Sequence, residues 1–465
     1  MWTSRIRTRP TAAWLAAALL AAGCATAAPA AHASTPATGG PAAGPTVTPA
    51  AATSWPVYHA NAQRTGVVSG LPAAGALSTA WTAKLDGAVY GQPLAVGHLI
   101  IVATEDDSFY GLNRSTGRVV WRTHVGTPVP LSALPCGDIN PLGITGTPAW
   151  DPATQLVYGV AEETGFRHVL YGVSLSGQVK VTREIPTPDG HPRYDQQRPA
   201  LAVDGSRVYV DFGGLAGDCG PYIGSVVGVP ASGHGSLISY RVPTSREGAI
   251  WGTAGPVLGP HGRLYVTVGN GAATSKPYDG SDSVVELTPG LRRVGFFAPS
   301  TWAQDNANDL DLGSMSPAVL ANGSVIADGK RGVAYLLSAT HLGGIGGQLT
   351  QKPVCTAFGG PAVQGTVAYL PCENGGMAAV DTAGGKLTVK WRGPSGAWGS
   401  PVIGGGAVWL PDWTAGVLYE LNPATGAVRH QLSLGSGLPH FTSPSLSGSL
   451  VLVGTLSGVV AVRGA

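Results

Sequence analysis

The chain has 465 residues, 28 Lys and Arg against 26 Asp and Glu, a formal net charge of +2 and only 12% charged residues. A nucleic-acid-binding surface needs clustered basic side chains that displace counterions from phosphates, and the sequence has no basic run, so that class is excluded. The 69 glycines and 37 prolines separate short apolar runs, and no long amphipathic helical pattern is visible, which predicts an all-β protein.

The N-terminus predicts an export signal over residues 1–33. Three arginines precede an apolar segment, residues 11–22, that is too short to span a bilayer. Two cleavage sites compete. LLAAGC resembles a lipobox and would make Cys24 a diacylated N-terminus, whereas AHA at residues 31–33 suits ordinary signal peptidase. We expect a secreted or extracytoplasmic protein whose only membrane attachment is a lipid anchor at Cys24.

Residues 34–53 consist almost wholly of Ala, Pro, Thr and Gly. Such a composition cannot bury a core and predicts a flexible linker. Residues 54–465 are then expected to form a single domain.

The four cysteines beyond Cys24 form an even set, as expected in an oxidising compartment. Of the three pairings that four cysteines allow, we favour Cys355–Cys372, which closes a short loop, together with Cys136–Cys219. Four buried free thiols are the alternative. The spacings fit neither a zinc site nor c-type haem attachment.

A short motif recurs along the domain: a small or polar pair, a proline, a turn and then an apolar run such as GHLIIVAT or GSLVLVGT. Because proline lacks an N–H, it can begin an innermost strand but cannot lie within a ladder. Eight copies predict an eight-bladed β-propeller of four-stranded antiparallel blades. The prolines are Pro93, Pro148, Pro199, Pro256, Pro317, Pro361, Pro401 and Pro444.

The last repeat ends about one strand short of a full blade, and LSTAWTAKL at residues 77–85 is a lone strand ahead of the first full repeat. We expect this N-terminal strand to complete the final blade and close the ring, which removes the exposed edge of an open sheet.

Three turns carry a family resemblance. LNRSTGRVVW at residues 112–121, LNPATGAVRH at residues 421–430 and AVDTAGGKLTVKW, ending at Trp391, resemble the repeat of pyrroloquinoline-quinone (PQQ)-like propellers, A-x-D-x-x-T-G-x-x-x-W. The resemblance implies an eight-bladed propeller in a secreted or lipoprotein member of the family.

The resemblance leaves two kinds of activity open. Quinoprotein dehydrogenases of this fold hold PQQ and calcium in the funnel, whereas a lipoprotein relative assists outer-membrane barrel assembly. The sequence has no adjacent cysteines, and the dehydrogenases' calcium ligands and catalytic Asp cannot be placed on it. PQQ and calcium are therefore not supported by the full quinoprotein motif set.

In a propeller the loops that enter the innermost strands lie on the funnel face, so the residues before the eight prolines are expected to line the channel. Aromatic faces and amide groups there predict a ligand site for a small molecule or an envelope protein. In the alternative interpretation these groups hydrogen-bond one another and ordered water. The candidates are Tyr90, Gln92, Gln196, Gln197, Arg198, Trp251, Met315, Trp398 and His440.

The early blades have longer loops than the late ones, so extra surface is expected on one side of the funnel. In one insertion, WAQDNANDLDLGS, Asp305, Asp309 and Asp311 offer oxygen ligands suited to calcium. The insertion lacks the order of an EF-hand loop, and Asx-turns would explain it equally well.

Three funnel residues are candidates for a general acid or base, namely Asp195, Glu247 and His440. Each could instead stabilise its own loop by hydrogen bonding. We therefore expect a monomeric binding or scaffold protein of the cell envelope. The alternative is an enzyme that uses the funnel, either a quinoprotein-type dehydrogenase or a cofactor-free catalyst acting on a small metabolite.

Overall fold

The computed structural model describes residues 54–69, 71, 75–373, 376–396 and 399–464, which belong to one compact unit. The predicted signal, the linker, Cys24 and the ligand candidate Trp398 lie outside the described residues. Among the described helices, none is long and apolar enough to cross a membrane.

Eight antiparallel sheets, here called blades 1–8, follow one another along the chain and confirm the predicted eight-bladed propeller. From inner to outer strand, blade 1 contains Leu94–Val96, Leu99–Thr104, Ser108–Asn113 and Val119–His124; blade 2 Ala149–Asp151, Leu156–Glu163, Arg167–Ser174 and Val179–Glu184; blade 3 Ala202–Asp204, Arg207–Gly214, Ser225–Pro230 and Ile238–Arg241; blade 4 Val257–Leu258, Leu264–Val268, Ser283–Leu287 and Arg293–Ala298.

The second half of the ring repeats this order. Blade 5 contains Ala318–Val319, Ser324–Ala327, Val333–Ser338 and Thr350–Pro353; blade 6 Ala362–Gln364, Val367–Leu370, Ala378–Asp381 and Thr388–Arg392; blade 7 Val402–Gly404, Ala407–Asp412, Val417–Leu421 and Val428–Ser433; blade 8 Ser445–Ser447, Leu450–Thr455, Gly458–Gly464 and Leu77–Lys84.

Short elements decorate the blades. Asp195–Gln196 extends blade 3, and Gly344–Ile345 runs parallel to the outer strand of blade 4. The described helices are one α-helical turn, Trp302–Ala307, and the 3₁₀ turns Tyr58–Ala60, Leu131–Ala133, Pro260–Gly262, Leu312–Ser314 and Ala383–Gly385.

The recurring prolines do mark the innermost strands. In seven blades the inner strand begins at the residue directly after the proline, as Leu94 follows Pro93. Blade 3 differs, because its inner strand begins at Ala202, three residues after Pro199. The residues before each proline therefore lead into the strand that borders the axis.

The N-terminal strand Leu77–Lys84 is the outermost strand of blade 8 and pairs antiparallel with the C-terminal strand Gly458–Gly464. This pairing confirms the predicted closure of the ring.

Tryptophans of two outermost strands join neighbouring blades. The indole N–H of Trp81 in blade 8 donates to the Arg114 carbonyl in blade 1 at 3.0 Å, and that of Trp391 in blade 6 donates to the Pro423 carbonyl in blade 7 at 2.9 Å. Each indole also covers a turn glycine, and a Cβ on Gly426 would overlap the ring of Trp391. The turn glycine is therefore needed for its close approach to the next blade's tryptophan.

Residues 54–68, here called the plug, occupy the axial channel. Their main chain hydrogen-bonds to the inner strands of five blades: Trp55 to Ala95, Pro56 to Trp150, Ala62 to Leu258, Thr65 to Val363, and Gly66 and Val68 to Ile403. The side chains of Trp55 and His59 are fully buried. The plug therefore closes the channel beneath the funnel loops.

Buried carboxylates fix the loops that enter the blades. Glu105 of blade 1 accepts hydrogen bonds from the Gly143 amide and the Thr145 hydroxyl of the loop entering blade 2. Glu162 of blade 2 likewise accepts from the Gln197 amide ahead of blade 3 at 2.6 Å. Acids at the end of one blade's second strand thus position the next blade's funnel loop.

Candidate functional site

The funnel face contains a cavity of about 580 Å³, displaced toward blades 3, 4 and 5. Its wall comes mostly from the loops that enter the inner strands of these blades and from the loops between their second and third strands. Charged, amide and aromatic side chains line it: Asp138, Arg198, Asp218, Tyr222, Arg246, Glu247, Trp251, Asn270, Asn306, Asn308, Asp309, Asp311, Lys330, Phe358, His440 and Phe441.

Below this cavity lies a void of only about 20 Å³, where Arg198 and Phe441 meet Tyr58 of the plug. The hydroxyl groups of Tyr58 and Thr253 are 3.3 Å apart, and Gln92 accepts hydrogen bonds from the Trp55 indole and the His59 amide. The plug therefore makes the funnel a pocket with a closed floor.

Three aromatic rings form one cluster on the wall. The centroids of Trp251 and Phe441 are 5.9 Å apart, and those of Trp251 and Phe358 are 6.3 Å apart. Phe358 and Phe441 are stacked at 5.8 Å with an interplanar angle of 8°. Such rings give a ligand a flat apolar surface.

Most charges of the wall are paired within the protein. Arg246 pairs with Glu247, and the Lys330 ammonium lies 2.6 Å from Asp309 and 3.4 Å from Asp311. Burial raises the pKa of Asp311 to about 6, although Lys330 opposes that shift. The Asp218 carboxylate accepts a hydrogen bond from Tyr222 at 2.5 Å.

The His440 Nδ1 lies 3.3 Å from the Asp138 carboxylate, and its ring packs 4.4 Å from that of Trp413. The hydrogen bond from His440 lowers the pKa of Asp138 below its ordinary value. This pair forms the rim of the cavity beside blade 2.

Arg198 differs from the other cations. Its guanidinium lies 4.8 Å from the centroid of the Phe441 ring, and its Nη2 is buried without a hydrogen-bond partner. Burial lowers the pKa of the guanidinium, while the charges of Asp138, Tyr90 and Glu105 oppose this.

The predicted ligand residues fall into two groups. Five line the cavity or the void below it, namely Tyr90, Gln92, Arg198, Trp251 and His440. The other three, Gln196, Gln197 and Met315, are like Gln92 at most 3% exposed. Gln92 is bonded to the plug, Gln197 donates to the Pro199 carbonyl at 2.6 Å, and Met315 packs in the core of blades 5 and 6.

The three acid–base candidates do not converge. Glu247 and His440 line the cavity, paired with Arg246 and Asp138, whereas Asp195 is buried in the short strand of blade 3 and is not part of the wall. Burial and the nearby Asp189 raise the pKa of Asp195 to about 9.

The three aspartates predicted to bind calcium have basic partners. Asp305 pairs with Arg331, while Asp309 and Asp311 contact Lys330. Among the described residues, the group of His, Cys and carboxylate side chains that could hold a metal ion is Asp86, Asp106 and His124, whose ligand atoms lie within 4.8 Å of one another. This group does not include the three predicted aspartates. A calcium site at Asp305, Asp309 and Asp311 remains a prediction.

Both predicted disulfides are confirmed. Cys136–Cys219 joins the loop entering blade 2 to a loop of blade 3 beside the cavity, and Cys355–Cys372 joins blade 5 to blade 6. These bonds fit an extracytoplasmic location, because such compartments are oxidising.

Several wall residues escaped the sequence analysis. Asp218, Tyr222, Asn270 and Lys330 lie between the second and third strands of blades 3, 4 and 5, whereas the predicted site residues lie in loops that enter the inner strands. Phe441, which directly follows His440, was not predicted as a ligand residue. Its φ of 58° is in the left-handed region. The long second-to-third-strand loops of blades 3 and 4 are the signal that could have revealed Asp218, Tyr222 and Asn270, whereas the short loop of blade 5 gives no such signal for Lys330.

The family model for the outer membrane protein assembly factor BamB matches residues 36–216, less than half of the chain. Among solved structures, the quinohemoprotein alcohol dehydrogenase ADHIIG from Pseudomonas putida HK5 superposes with a TM-score of 0.65 at 14% identity, covering 88% of this chain and 80% of that one. The fold of this chain, an eight-bladed propeller, is similar to that of this quinoprotein. BamB from Moraxella catarrhalis has a TM-score of 0.58 at 15% identity, covering 84% of this chain and 100% of that one.

A europium-containing methanol dehydrogenase has a TM-score of 0.66 at 14% identity, covering 89% of this chain and 98% of that chain. At these identities the likeness concerns the fold alone. A comparison with curated protein sequences gave no match.

The residues of the funnel fit PQQ poorly. PQQ is a planar tricarboxylate, yet Arg246 and Lys330 are already paired with acids, which leaves Arg198 to face three carboxylates. The wall itself is acidic, with Asp138, Asp218, Glu247, Asp309 and Asp311. The donor set therefore does not support a PQQ-dependent dehydrogenase.

Proposed function

We propose that this PQQ-like propeller is an extracytoplasmic binding protein of the cell envelope that holds a small organic ligand in its funnel. The cavity of about 580 Å³ with a closed floor is the observation that carries this proposal. Its volume lies within the range of small-molecule sites, roughly 300–1,000 Å³. Stacked aromatic rings beside charged and amide groups are the usual composition of such sites.

Binding without catalysis is favoured by the state of the titratable groups. Glu247 pairs with Arg246, His440 lies beside the Asp138 carboxylate, and Asp195 is not part of the wall. A general base must reach the proton that it abstracts, and none of the three is presented to the cavity without a protein partner. These three residues therefore do not favour the enzyme alternative.

The location is part of the proposal. The lipobox-like LLAAGC would anchor the mature protein to the membrane through Cys24, and the Ala/Pro/Thr-rich residues that follow would act as a tether. The funnel would then face the extracytoplasmic space.

A cavity-blocking variant tests the binding site. Ala272 lines the cavity and is exposed, so Ala272→Trp should fill the cavity with little strain. Ala153→Trp, in an exposed turn between the first two strands of blade 2, is the matched control. A panel of small organic acids, sugars and amines would be screened by thermal unfolding.

A compound at about 100 times its Kd stabilises the folded state by about 2.7 kcal/mol. We expect such a stabilisation in the wild type and in Ala153→Trp, and its loss in Ala272→Trp. Equal stabilisation of both variants would place the ligand elsewhere, and a panel without any stabilising compound would count against the proposal.

A further inference from the structure

We infer that the funnel selects ligands with a single carboxylate, which pairs with the guanidinium of Arg198 at the floor of the cavity. This inference rests on the proposed function, and it adds the chemical class of the ligand. Neither the family match nor the structural relatives assign a role to Arg198.

Arg198 is a buried cation that no acidic side chain of the described residues contacts directly. In the described part of the chain, no hydrogen bond or ion pair to it is found, and its Nη2 is buried without a partner. A guanidinium stays protonated at neutral pH, and withdrawing an unpaired charge from water is costly. An arriving anion removes that cost, so it binds more tightly here than at an exposed arginine.

The guanidinium is also held in position. The guanidinium lies over the Phe441 ring, 4.8 Å from its centroid. The main chain on both sides of Arg198 is also restrained, because the preceding Gln197 amide donates to Glu162 and the following residue is Pro199. A planar guanidinium offers parallel N–H donors that match the two oxygens of a carboxylate. Arg198 borders both the cavity and the void beneath it, so a carboxylate would lie at the floor with its organic body against Trp251.

The rest of the wall limits the ligand to one negative charge. Arg246 and Lys330 are committed to Glu247, Asp309 and Asp311, and Asp218 adds a further acid. A second carboxylate on the ligand would meet these acids without a cation to neutralise it. The preferred ligand therefore carries one carboxylate on a flat apolar body, with any further polar groups acting as hydrogen-bond donors.

Three compounds of one shape test the inference: 2-naphthoate, neutral 2-naphthamide and naphthalene-2,6-dicarboxylate, measured by titration calorimetry. We expect the wild type to bind 2-naphthoate at least about tenfold more tightly than the amide, because the acid gains one charge-assisted hydrogen-bonded pair. We expect it to bind the dicarboxylate no more tightly than 2-naphthoate. Equal affinity for acid and amide, or tighter binding of the dicarboxylate, would overturn the inference.

Variants at Arg198 separate charge from geometry. Arg198→Gln should abolish the preference for acid over amide and should raise the unfolding temperature of the ligand-free protein, because the unpaired buried charge is gone. Arg198→Lys keeps the positive charge but loses the two parallel N–H donors of the guanidinium, so it should retain only part of the preference for acid over amide. Arg118→Gln, at an exposed turn of blade 1, is the control and should match the wild type.

The outcomes distinguish the two proposals. If all three compounds bind with equal affinity and Ala272→Trp abolishes their binding, the funnel is the ligand site but Arg198 does not select the charge. An unchanged preference in Arg198→Gln, or a lower unfolding temperature of this variant, would show that Arg198 serves the fold. Absence of 2-naphthoate binding at millimolar concentration would refute the carboxylate preference, whereas the funnel proposal is judged by the wider panel.

Discussion

Buried carboxyl groups recur where the second strand of a blade turns into the third. Asp107 of blade 1 is fully buried, and neither of its carboxylate oxygens has a hydrogen-bond partner. Burial, together with the nearby Glu105, Glu163 and Glu162, raises its pKa to about 9. In the folded protein at neutral pH this side chain is therefore a neutral acid.

Asp107 should make the stability of the propeller depend on pH. Because the folded pKa of about 9 lies above the model value of 3.8, the folded state holds a proton that the unfolded chain releases. The contribution of protonated Asp107 to the free energy of unfolding is complete below about pH 4. It is lost as the pH rises to 9, by at most about 1.4 kcal/mol per pH unit. Asp107→Asn should flatten this slope and stabilise the protein most at pH 8 to 9.

Urea unfolding between pH 5 and 9 measures the effect. Asn tolerates the left-handed backbone found at Asp107, where φ is 51°, so the substitution adds no strain there. Asp106→Asn, at a partly exposed neighbour, is the control and should keep the wild-type slope. A wild-type slope in Asp107→Asn would mean that Asp107 is ionised in the folded state.

At the scale of elements, the plug links the fold to the site. It hydrogen-bonds to five inner strands and also supplies the floor of the funnel. Its Trp55 donates to Gln92, whose amide in turn donates to Ser443 and to the Pro444 carbonyl at the start of blade 8. The Gln92 side chain, just ahead of blade 1, thereby joins the plug to the start of the neighbouring blade 8.

Trp55→Ala should destabilise the propeller by about 3–5 kcal/mol, the usual cost of truncating a fully buried large aromatic side chain. Gln63→Ala, at an exposed position of the same segment, should change the free energy of unfolding by less than about 0.5 kcal/mol. Chemical unfolding followed by circular dichroism measures both. Near-wild-type stability of Trp55→Ala would show that the plug is dispensable for the fold.

The sequence predicted the blades but not the plug, for a physical reason. Strand-starting prolines and alternating apolar runs are local features that repeat eight times, so each copy strengthens the others. The plug, SWPVYHANAQRTGVV, has no alternation, and its partners lie as far away as Ile403. Backbone hydrogen bonds between segments so distant in sequence leave no local pattern.

The site was predicted in part, for a related reason. Arg198, Trp251 and His440, which lie just before strand-starting prolines, line the cavity, because that position follows from topology. The direction of each side chain does not follow from it: Gln92 and Gln197 turn inward to satisfy buried backbone groups. Such choices depend on partners that only the assembled ring brings together.

At the scale of the whole molecule, the proposed anchor decides where the funnel meets its ligand. A single acyl chain holds a protein only marginally and reversibly to a bilayer, whereas two chains give stable attachment. Diacylation at Cys24 should therefore keep the mature protein in the membrane fraction. Cys24→Ala leaves the AHA site at residues 31–33 for ordinary cleavage, and should move the protein to the soluble extracytoplasmic fraction with its funnel unchanged.

Fractionation of cells that express the full chain measures this difference, with Ala22→Ser as a control in the same segment. Thermal unfolding of the released Cys24→Ala protein should equal that of the wild type, because the described propeller begins thirty residues later, at Ser54. Equal distribution of wild type and Cys24→Ala between the fractions would favour ordinary secretion. The ligand would then be met in the surrounding medium, and the residues before the plug would no longer act as a tether.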